Sequence, residues 1–187
     1  MEITVADKSA YWHQIRVNTS ANNNGRHARA PWPLQLQVAA LVANDDIKAS
    51  IATFDGTTPT TWTVSLITEA SGQGGGLRLI RVRMEFDAEQ YDLEQDNGAA
   101  EPLAPKVEES WVRRLSDIES IDIKRARMRP NSFGRVMENV LDVADVRVTF
   151  RGGAVIDLGI DQLAMTVQDD RRPSDVFVEL LRGHTGL

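Results

Sequence analysis

Lys124, Arg125, Arg127 and Arg129 crowd into a short run that ends at Pro130. Guanidinium groups offer fixed forks of donors, so the chemistry such a run suggests is recognition of phosphate or carboxylate. On a strand, Arg125, Arg127 and Arg129 share one face about 7 Å apart, within reach of successive phosphates. Between 111 and 135 there are seven bases against three acids, in a chain whose formal net charge is −6. The functional reading is contact with a phosphorylated ligand, a nucleic acid or an anionic headgroup. Two features oppose it. No aromatic residues alternate with these arginines to stack bases, and a pI of about 5.1 disfavours polyanions. The plainer alternative is a solvated strand, or an edge kept from stray pairing by its charge. A third is that the acidic segment 87–109, with eight acids and one base (Lys106), packs on the cluster in the same chain or a neighbour.

Other constellations carry less. Asp92-Leu93-Glu94-Gln95-Asp96-Asn97-Gly98 spaces carboxylates as a calcium loop does, but the glycine is one place late and Leu103 stands where the closing glutamate belongs. His13, His27 and His184 show no metal-ligand spacing, and no Gly-x-Ser-x-Gly elbow exposes a nucleophile. Glycine-rich 72–76 lacks the Lys-Ser/Thr of a phosphate loop and reads as a mobile hairpin connection. With no cysteine, disulfides, thiolate chemistry and Cys-type metal sites are excluded. Trp32 stands between Pro31 and Pro33, stiffly held, as an interface anchor or as packing over a sheet end.

The elements that would carry these residues follow from periodicity. Leu34, Leu36, Val38, Ala40 and Val42 alternate, Asn44-Asp45 offers a two-residue turn, and Ile47, Ala49 and Ile51 match across it, which predicts a hairpin of strands 34–43 and 46–54. Trp62, Val64 and Leu66, then Ile80, Val82, Met84 and Phe86, predict strands 61–69 and 78–87 with one apolar face. Two further strands are expected near 2–6 and 10–17. Residues 87–105 hold six acids and no base, as a solvated loop or linker would. Pro105, then Val107, Trp111, Leu115 and Ile118, predict a helix near 105–118. A strand near 121–129 follows. Residues 133–144 fit either a helix, with Phe133, Met137, Val140 and Ala144 on one stripe, or a strand. Beyond them, a three-residue loop Arg151-Gly152-Gly153 would set Val148 against Ile156 and Val146 against Leu158, whereas a two-residue loop would bury Asp157. A strand near 162–167 and a final helix capped by Ser174, with Val176, Phe177, Leu180 and Leu181 as its stripe and Gly183 as its end, complete the chain.

The expected fold is mainly β, a β-rich α+β arrangement. An antiparallel meander forms a sandwich or partly open barrel, with a middle helix and a C-terminal amphipathic helix. Its parts are a β meander over 1–87, an acidic linker over 88–105, and a helix, strands and final helix over 106–187, built on one shared core. The element order resembles that of pleckstrin-homology-like domains; no motif accompanies it, and no family is assigned. The N-terminal residues lack a signal peptide and no apolar run approaches the ~20 residues of a membrane span, so a cytoplasmic protein is expected. No cofactor signature is present. These features favour a non-catalytic protein-binding or assembly module, self-associating through segregated acidic and basic surfaces or binding a protein partner. The alternatives are binding of a phosphorylated ligand, nucleic acid or anionic headgroup through the arginine strand, and a small hydrolase or isomerase using His13 or His27 with a carboxylate.

Overall fold

The computed structural model describes residues 7–23, 26–71, 75–131, 133–163, 165 and 168–184. The chain is mainly β, with open antiparallel sheets and a C-terminal helix, and it divides into two compact units, Met1–Leu115 and Ser116–Leu187.

In the first unit, α1 (Lys8–Asn18) begins where the Asp7 carboxylate accepts from the Ser9 and Ala10 N–H groups. The strand expected at 10–17 is therefore helical, because a capping aspartate precedes residues without strand alternation; the strand expected near 2–6 lies outside the described residues. A short hairpin of β1 (Ala21–Asn23) and β2 (Arg26–Ala28) follows.

The segment expected as strand 34–43 is also a helix, α2 (Trp32–Val42). Leu34, Gln35, Val38, Ala39 and Val42 are buried, at the one-four spacing of a helical face, while Leu36 is exposed. Leu-Gln-Leu-Gln-Val-Ala-Ala-Leu-Val is apolar around most of its circumference, so it satisfies a period of two as well as 3.6. Its leucine, glutamine and alanine favour helix, and Pro33 suits the first turn.

Four strands form the sheet of this unit in the order β3 (Asp46–Asp55), β4 (Thr60–Glu69), β5 (Leu77–Phe86) and β6 (Lys106–Arg114). The strands expected at 46–54, 61–69 and 78–87 are thus present. β3 pairs with β4 rather than with 34–43, setting Phe54 opposite Trp62 and Ala52 opposite Val64. β4 and β5 pair without irregularity, Val64 opposite Val82 and Leu66 opposite Ile80. Their alternating face joins Ile15, Leu34, Val38, Ala39 and Val42 in one hydrophobic core. The helix expected at 105–118 is β6 followed by a single 3-10 turn, Leu115–Asp117. Residues four apart share a face of a regular strand as well as of a helix. Here a bulge between Val107 and Glu109 then turns Val107 to the face opposite that of Trp111, and Leu115 falls in the turn. Pairing with β5, Ile80 opposite Val112, decides the matter.

Part of the acidic stretch is structural. α3 (Leu93–Gly98) starts at Asp92, whose carboxylate accepts from the Glu94 and Gln95 N–H groups. Asp96 is buried and accepts from the Tyr91 hydroxyl and the Trp32 backbone N–H, while the Trp62 indole donates to the Tyr91 carbonyl. Burial and the hydrogen bond to Asp96 raise the Tyr91 phenol above its ordinary range, so it stays a donor. Asp87, Glu89, Glu94 and Glu101 remain exposed, as a solvated segment requires.

In the second unit, the sheet order is β7 (Ile118–Pro130), β8 (Val136–Phe150), β9 (Val155–Asp157). The ambiguous 133–144 region enters β8 from Val136 onward. Val148 faces Ile156, Phe150 N–H donates to the Ala154 carbonyl, and Leu158 N–H to that of Val146. This is the register of the three-residue loop, with Gly152 and Gly153 at positive φ. Among the described residues of 162–167 no strand forms: Gln162 and Leu163 make a turn. Gln162 is buried and acts as a staple, its Oε1 accepting from Val143 N–H and its Nε2 donating to Asp175. α4 (Gln168–His184) begins upstream of Ser174, which lies inside it with its hydroxyl donating to the Arg171 carbonyl, and ends one residue past Gly183. Phe177 and Leu181 are buried, Leu180 is half-buried, and Val176 is exposed.

Candidate functional site

β7 and β8 form a long hairpin in which the basic run lies on β7. The pairing does not leave Arg125 and Arg129 open to a ligand, whereas Arg127 meets only a carbonyl among the described residues. Arg125 Nε donates to Asp145 at 2.5 Å, with Asp161 at 3.7 Å. Arg127 donates to the Leu163 carbonyl at 2.9 Å. Arg129 donates to Asp142 at 2.6 Å and forks onto both oxygens of Asp175. Lys124 is exposed and borders a recess of about 420 Å³ together with Asp145, Arg147, Asp157 and Asp161. Arg147 forks onto Asp157.

The electrostatics follow from these pairs. The Asp175 and Asp142 carboxylates hold the Arg129 guanidinium above its ordinary range, and Asp145 does the same for Arg125. In return the Arg125 guanidinium holds the Asp145 carboxyl below the usual carboxylate range. Asp142 is fully buried between Arg129 and Arg171, the latter 3.7 Å away. Removing one partner of such a pair leaves a buried charge uncompensated, which costs about 3–5 kcal/mol. Arg129 is therefore part of what holds β7, β8 and α4 together. The carboxylates that meet Arg125 and Arg129 come from β8, the 161 loop and α4.

Past these pairs the hairpin ends in side chains of another kind. The connection from Asn131 to Arg135 is closed by Asn131: its Oδ1 accepts from the Phe133 and Arg135 N–H groups, each at 2.9 Å, and its own N–H donates to the Arg135 carbonyl at 2.7 Å. Gly134 N–H donates back to the Asn131 carbonyl and adopts φ +74°. This turn presents Phe133 with 88% of its surface exposed. Met128, Val136, Met137 and Leu141 on the adjoining strands are exposed as well. The register jumps here, from Met128 opposite Leu141 to Arg129 opposite Met137, so residues 138–140 of β8 bulge out of the ladder. Between residues 139–141 and the Asp175, Val178, Glu179 and Arg182 face of α4 runs an open groove of about 570 Å³.

Trp32 lies at the start of α2 and is partly exposed, at 36%. Its backbone N–H donates to Asp96, its indole N–H to Asn97 at 3.0 Å, and its ring meets Trp12 edge to face at 5.9 Å. His13 on α1 and His27 on β2 are exposed, and among the described residues neither is hydrogen-bonded to a carboxylate. The side chain of His184, like residues 72–74 of the glycine-rich loop, lies outside the described residues. The calcium-like carboxylates are used locally, Asp92 as a helix cap and Asp96 as acceptor for Tyr91 and Trp32. Among the described residues no cluster of three or more His, Asp or Glu side chains could hold a metal ion. Nor is any helix among them long and apolar enough to cross a membrane.

Sequence reasoning left 133–144 open between a strand and a helix with Phe133 and Met137 on one stripe, and so missed the apolar hairpin end. The available signal was Pro130-Asn131 followed by Gly134, turn-forming residues between the basic run and Val136. In comparisons with known proteins, no family model, no curated protein and no solved structure matches the chain.

Proposed function

We propose that the chain is a non-catalytic protein-binding or assembly module, and that the end of the β7–β8 hairpin is its contact surface. The observation that carries this reading is Phe133, almost wholly exposed on a turn that Asn131 fixes with four hydrogen bonds. An aromatic ring held ready by its backbone loses little freedom on binding, which is how interface anchors gain affinity. Met128, Val136 and Leu141 add exposed apolar side chains on one face of the adjoining strands, and Met137 on the other. The methionines add side chains that adapt to a partner's shape.

The same geometry weighs against polyanion recognition through Lys124, Arg125, Arg127 and Arg129. A phosphate would have to displace Asp145 from Arg125, and Asp142 and Asp175 from Arg129, undoing charge-assisted bonds already made. The test uses the intact chain and Phe133→Ser. At low salt, immobilised wild type should retain a protein, either another copy or a partner, and Phe133→Ser should lose that retention with an unchanged melting temperature. Equal retention by both proteins, or none by either, overturns the proposal.

A further inference from the structure

We infer that the hairpin end of one copy docks on the Trp32 face of a second copy, joining chains head to tail. This rests on the reading of the hairpin end as a protein-binding surface and names its partner. Charge selects the occupant. Arg125 and Arg129 are neutralised within the chain, which leaves Arg127 and Arg135 against Glu138 at the hairpin end, a basic excess that disfavours a symmetric tip-to-tip pair. A fitting surface needs an apolar centre bordered by carboxylates.

The unit Met1–Leu115 supplies one. Trp32 is partly exposed and rigid, flanked by Pro31 and Pro33, with its backbone fixed by Asp96 and its indole fixed by Asn97. The segment that holds it carries only acids from 87 to 105. Glu94 lies one turn before Asn97 in α3 and is exposed, as is Glu101. Among the described residues, no ion pair engages Asp87, Glu89, Glu94 or Glu101. Phe133 against Trp32, with Arg127 and Arg135 facing Glu94 and Glu101, matches apolar to apolar and base to acid. Because the two patches differ, the pair as a whole keeps one free hairpin end and one free Trp32 face, and assembly continues as an open chain or a ring.

Sedimentation velocity and light scattering on the full chain test this. The wild-type mass should rise with protein concentration and fall with added salt. Phe133→Ser alone, and Glu94→Arg/Glu101→Arg alone, should each be monomeric. Mixed in equal amounts they should form dimers and nothing larger, since one intact tip and one intact face remain between them. A wild type that is monomeric at every concentration overturns the inference, as does a mixture that stays monomeric. If Phe133→Ser abolishes association and Glu94→Arg/Glu101→Arg does not, the head-to-tail partner is wrong while the hairpin reading stands. Association unaffected by Phe133→Ser overturns both.

Discussion

At the scale of single residues, the basic run is defined by what it meets. Arg125 holds the Asp145 carboxyl below its ordinary range, so the ionised form of Asp145 is favoured in the folded protein. A depressed carboxyl contributes stability above its unfolded value and loses it as pH falls through the folded one. Asp145 adopts φ +52°, which asparagine tolerates equally well, so Asp145→Asn removes the charge without straining the backbone. Wild type should therefore melt above Asp145→Asn at neutral pH, and the gap should close as pH falls below about 4, the ordinary value of an aspartate. A gap that is constant with pH would separate the Asp145 contribution from its charge. The spacing of the arginines is visible in the sequence, but their partners Asp142, Asp145, Asp161 and Asp175 are 13 to 46 residues distant. No local pattern announces such pairs, which is why Arg125 and Arg129 read as free when the fold engages them.

Among elements, the three middle strands of the first unit were legible because their alternation is unambiguous. Trp62, Val64 and Leu66 oppose Met84, Val82 and Ile80, and all six are buried. The loop at Gly152-Gly153 was legible for a sharper reason, since one register buries Asp157 and the other does not. α2 and β6 were misread in opposite directions by the same weakness. A nearly all-apolar run fits either period, and residues spaced by four lie on one face of a helix or of a strand. Tertiary partners decided both, the core beneath the sheet for α2 and the open edge of β5 for β6. The hairpin end is an element whose shape depends on one side chain. Asn131→Ala removes two acceptor bonds that fix Phe133, so retention of a partner should weaken by about tenfold, equivalent to ~1.4 kcal/mol, while thermal stability changes little. Unchanged affinity would mean that Phe133 binds without that turn.

For the whole molecule, the charge balance gives each copy two unlike surfaces. A basic apolar hairpin end belongs to one unit and an acidic tryptophan face to the other. Fold class was legible from strand periodicity, whereas the proposed contact surface was not, because nothing local marks one valine, two methionines, a leucine and a phenylalanine as exposed. The exposed Phe133 becomes visible only when its strands are paired and its turn is closed. The most direct measurement is photo-crosslinking from benzoylphenylalanine placed at position 133 of the full chain, with adducts mapped by mass spectrometry. The expected adduct joins position 133 to peptides around Trp32 or residues 87–105 of another copy, and disappears at high salt. No adduct to any protein at concentrations where the chain is assembled would contradict the account.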